Sequence, residues 1–63
     1  MKSLELKNPE GTLLYIIEYE DYTDHVNCRA YRPGQEKPCV EDTIELEGRG
    51  VQEALNYFME NLP

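Results

Sequence analysis

The chain has 63 residues, 13 of them Asp or Glu and 6 Lys or Arg, for a net charge of -7. That balance lacks the basic footprint of a phosphate-gripping protein and argues against direct nucleic-acid binding. No stretch is apolar for long enough to form a signal peptide or cross a bilayer, so the expected location is cytoplasmic, with no membrane partner.

The length fits one domain over residues 1–63. A domain this small buries only about 60% of the surface its unfolded chain exposes. Such domains usually gain support from disulfides, a metal or a partner chain.

Ser3 to Lys7 alternates, with Leu4 and Leu6 on one side and Ser3, Glu5 and Lys7 on the other. This is the pattern of a half-buried strand. Asn8-Pro9-Glu10-Gly11 supplies turn chemistry. A tight hairpin then pairs Lys7 with Thr12, Leu6 with Leu13 and Leu4 with Tyr15, which keeps apolar residues together.

Thr12 to Glu20, TLLYIIEYE, is the longest apolar run and the expected central strand. Leu13, Tyr15, Ile17 and Tyr19 form its buried set. Leu14 and Ile16, followed by Glu18 and Glu20, form the opposite face, which begins apolar and turns acidic. Asp21 to Asp24 makes a second turn. His25 to Arg32 is the third strand, with Val26, Cys28 and Ala30 inward and Asn27, Arg29 and Tyr31 outward. The small Cys28 and Ala30 make room for Ile17 and Tyr15 across the pair.

Pro33 to Pro38 is a loop, because neither proline can donate to a sheet ladder. Val40 to Glu47 is the fourth strand, with Val40, Ile44 and Leu46 inward, Asp42 a polar intruder among them, and Glu41, Thr43, Glu45 and Glu47 outward. Carboxylates on an edge strand discourage pairing with another chain. Val51 to Leu62 carries one apolar stripe at helical spacing: Val51, Ala54, Leu55, Phe58, Met59 and Leu62. Gly50 is the expected N-cap, with Glu53 placed to reach back to it.

The expected fold is α+β: a four-stranded antiparallel meander with one C-terminal helix across one face. The order of elements is similar to the strand-rich, helix-ended domain of single-stranded-DNA-binding coactivators, a resemblance that implies a basic sheet face absent from this chain. The closing segment EALNYFMENLP resembles the last helix of small phage anti-CRISPR inhibitors. Neither resemblance carries a functional residue over.

One helix covers one face, so the other face is the candidate site. Leu14, Ile16, Arg29 and Tyr31 are its candidate interface. Exposed apolar residues in a polar surround mark interfaces, and Tyr and Arg are favoured at their energetic centres. Glu18, Glu20, Glu41, Glu45 and Glu47 form an acidic rim. Two such faces stacked as a homodimer would enlarge a marginal core.

Other constellations are weaker. His25-x-x-Cys28 with Cys39 offers no fourth zinc ligand, and strand residues three apart face opposite ways. The same parity argument makes both cysteines free thiols. Asp21, Asp24 and His25 supply too few oxygens for a calcium loop. Gly48-Arg49-Gly50 before a helix could seat an anion, although chain reversal also explains it.

The functional expectation is a small acidic, non-catalytic interaction module without cofactor. It would be a homodimer whose outer face or acidic rim engages another protein, with charge mimicry toward a nucleic-acid-handling enzyme as one form. The alternative is a small hydrolase or metal-dependent enzyme with acids at the sheet edge.

Overall fold

The computed structural model describes Met1–Pro63. Its strands are β1 (Lys2–Lys7), β2 (Leu13–Asp21), β3 (His25–Tyr31) and β4 (Val40–Glu45), followed by helix α1 (Val51–Glu60). The sheet is antiparallel in the order β1-β2-β3-β4, so each strand pairs with its neighbour in sequence. The fold is the expected α+β meander with its helix packed on one face.

The core is a single cluster. Tyr15 and Ile17 of β2, Val26, Cys28 and Ala30 of β3, and Ile44 of β4 meet Ala54, Leu55 and Phe58 of α1. Leu46, just past β4, completes it. The alternation explains the strands, because every core residue of β3 is two positions from the next. The helix rests chiefly on β3 and β4. Leu4 and Leu6 of β1 are therefore only half-buried.

The registers differ from the tight hairpins expected. Leu6 faces Tyr15 and Leu4 faces Ile17, two residues away from the expected pairing. Likewise Ile17 faces Ala30, and Tyr19 faces Cys28. A slip of two keeps each side chain on its face, which is why the inward set from Tyr15 onward still reads correctly. The cause of the first shift is Asn8. Its side-chain oxygen accepts from the backbone N–H groups of Glu10 and Thr12 at 3.0 and 2.9 Å. The backbone N–H of Asn8 donates to Thr12 at 3.0 Å. The turn thus closes on Asn8 and Thr12, one step later than a Lys7–Thr12 pair would.

That step is absorbed by a bulge. Lys7 pairs with Leu13, whereas Leu6 pairs with Tyr15, so Leu14 is an extra residue on β2. A bulge breaks strict alternation locally. Leu14 packs against the core cluster and Leu13 does not, the reverse of the expected assignment.

β3, β4 and α1 end earlier than expected, while β1 starts at Lys2 and β2 runs on to Asp21. β3 stops at Tyr31, because Arg32-Pro33-Gly34-Gln35 forms a turn in which the Gln35 N–H donates to Arg32 at 3.1 Å. Gly34 has φ +83 there, a conformation that side chains disfavour. β4 stops at Glu45, because Leu46 to Arg49 forms another turn closed by Arg49 N–H to Leu46 at 2.8 Å. Helix α1 ends at Glu60 with Asn61 as C-cap. Gly50 is the N-cap, but Glu53 makes no hydrogen bond back to it; it remains an acid in the first turn, where the helix dipole favours it.

Candidate functional site

The face opposite α1 has no secondary-structure element over it. The pairing sets its residues in rows. Glu5, Ile16 and Tyr31 lie side by side across β1, β2 and β3. The next row runs Ser3, Glu18, Arg29 and Glu41 across all four strands. Beyond it come Glu20, Asn27 and Thr43.

Arg29 organises the middle of the face. Both terminal nitrogens of its guanidinium donate to Glu20 Oε1 at 3.2 Å. Its Nε lies 3.9 Å from Glu18 Oε1. The Glu20 carboxylate holds the guanidinium even more firmly in its charged form. The neighbouring Glu18 carboxylate first, and then burial, raise the Tyr31 phenol above its ordinary pKa. Glu18, Arg29, Glu20 and Tyr31 thus form one polar network on the sheet surface.

Three candidate interface residues, Ile16, Arg29 and Tyr31, are half-buried together on this face. Leu14 departs from the group, since the bulge gives it to the core. Leu13 takes its place, paired with outward Lys7. The Pro33–Pro38 loop contributes Gln35 and Glu36, which border an open depression with Ile16, Glu18 and Tyr31. Sequence reasoning missed Leu13, Gln35 and Glu36. The bulge depends on how the Asn8 turn closes, and loop placement leaves no periodic signal.

The acidic rim divides into two kinds of carboxylate. Glu18 and Glu20 are committed to Arg29. Glu41 and Glu45 are exposed on β4 and form no ion pair or side-chain hydrogen bond. Glu41 stands directly across from Arg29, yet the guanidinium turns to β2. Glu47 leaves the row, because it lies in the turn after β4 with φ 51 and sits 4.0 Å from Arg49.

The remaining candidates are placed elsewhere. Cys28 is buried and Cys39 is exposed, and both are free. Burial, reinforced by Asp42, raises the Cys28 thiol to about 11. His25 stacks on Tyr22 with ring centroids 4.6 Å apart, and its Nδ1 lies 2.6 Å from Asp24 Oδ1. No three His, Cys, Asp or Glu side chains converge in a way that could hold a metal ion. Arg49 donates to the carbonyls of Leu46 and Glu45 at 3.2 and 3.1 Å. It staples the turn before α1, which fits the chain-reversal reading of Gly48-Arg49-Gly50 and engages the arginine that an anion seat there would use.

Compared with protein-family models, curated proteins and solved structures, the chain has no match. No helix is long and apolar enough to cross a membrane.

Proposed function

We propose that the chain is a small acidic, non-catalytic interaction module that engages another protein through its outer sheet face. The observation that carries this reading is the joint placement of Ile16 and Tyr31 beside the Glu18–Arg29–Glu20 network. An apolar centre with a large aromatic, fixed by a salt-bridged arginine and edged by carboxylates, has the composition of an interface core with a polar rim. The network also holds Arg29 in place before contact, which lowers the entropy lost on binding.

Substitution of Ile16 by lysine tests the reading. Glu5 faces Ile16 across the strand pair and Glu18 is two residues away on the same face, so the new ammonium is tolerated and the melt should stay within about 0.5 kcal/mol of the parent. Affinity capture from the native source, with parent and Ile16→Lys as baits, is expected to retain a partner on the parent alone. Identical capture by both baits would remove the outer face from consideration.

A further inference from the structure

We infer that the occupant of the outer face is a basic polypeptide surface, and that unpaired Glu41 and Glu45 on β4 select it over a second copy of this chain. The inference rests on the interaction-module reading and names its partner's chemistry. The outer face presents Glu5, Glu18, Glu20, Glu41 and Glu45 against only two cations, Arg29 and Lys7. Both cations are already engaged, Arg29 by Glu20 and Glu18 and Lys7 by Glu5 at 3.6 Å. A two-fold stack presents the same patch from both sides. Each copy would bring surplus carboxylates to the other and no free cation to meet them. Like charges set against each other across an interface are the usual means of rejecting a wrong partner.

The surplus is also localised. Glu5 is met by Lys7, and Glu18 and Glu20 share Arg29 of β3, whereas Glu41 and Glu45 have no partner. Tyr31 lies on β3 two residues beyond Arg29, which pairs with Glu41. Such a diagonal places Glu41 roughly 7–8 Å from Tyr31. One partner side chain can therefore rest on Ile16 and Tyr31 while a neighbouring lysine or arginine reaches Glu41. The same footprint gives a basic partner attraction at long range and an apolar anchor at contact.

The test uses the whole chain and two synthetic peptides, one alternating lysine with phenylalanine and its twin with glutamate in place of lysine. Binding is read from backbone NMR shifts, and association from sedimentation velocity. The lysine peptide should move the Ile16, Tyr31, Glu41 and Glu45 signals, and the glutamate peptide should not. The double variant Glu41→Gln and Glu45→Gln should weaken the lysine peptide about tenfold, a change of about 1.4 kcal/mol. Glu53→Gln with Glu60→Gln makes the same charge change on the helix and should leave affinity near the parent's.

Equal weakening by both double variants would overturn the inference, because charge alone, without placement, would then govern binding. Shifts scattered over the helix, or none on the outer face, would overturn it too. A parent dimer that Ile16→Lys disperses would also overturn it while preserving the outer face as an interface. Failure of the interaction-module reading is separate, and shows as capture that is indifferent to Ile16.

Discussion

Cys28 is the residue whose chemistry the fold changes most. It is 1% exposed, packed between β2 and β4, and its thiol is raised from 9.0 to about 11. Below pH 9 the thiol is protonated whether the chain is folded or not, and the shift has no effect on stability. Between pH 9 and 11 the unfolded thiol ionises while the folded one keeps its proton, so stability falls as pH rises. The loss is at most about 3 kcal/mol. Urea melts across that window should show the parent losing more stability than Cys28→Ala. Parallel curves would mean that the thiol ionises freely in the folded chain. Cys39 offers the internal contrast: it is exposed and should react with a thiol reagent in the native state, whereas Cys28 should wait for unfolding.

At the scale of the element, the bulge in β2 decides which of two adjacent leucines matters. Leu14 packs against the core and Leu13 pairs outward with Lys7. Because Leu14 is only partly buried, Leu14→Ala should cost about 1–2 kcal/mol, below the range for fully buried leucines. Leu13→Ala should cost under about 0.5 kcal/mol. The opposite ranking in thermal melts would restore unbroken alternation to β2. Much of this architecture was legible because alternation and helical spacing are properties of side-chain order. The inward sets of β3 and α1 stand as read. Exact register was not legible, because Asn8 closes its turn through a side-chain hydrogen bond that pattern does not encode. The outer face was legible in part: Ile16, Arg29 and Tyr31 follow from parity. Leu14 was lost to the bulge, and Glu47 to a turn with positive φ. The commitment of Glu18 and Glu20 to Arg29 depends on rotamers, about which sequence is silent.

For the whole molecule, the meander and the off-centre helix have one more consequence. β1 touches only β2 within the sheet, and α1 rests on β3 and β4. β1 is therefore held less tightly than β3, β4 and α1. Amides of β3, paired on both sides and covered by α1, should open only with global unfolding. Those of β1 should exchange with deuterium sooner, through detachment of a single strand. Uniform protection across all four strands would show instead that the sheet opens as one unit. If β1 does detach, the newly bared edge of β2 becomes the segment most exposed to cross-strand capture by another chain. The charges of Lys2, Glu5 and Lys7 guard the sheet edge only while β1 stays docked; once it leaves, the acids Glu18, Glu20 and Asp21 are what β2 itself sets against capture.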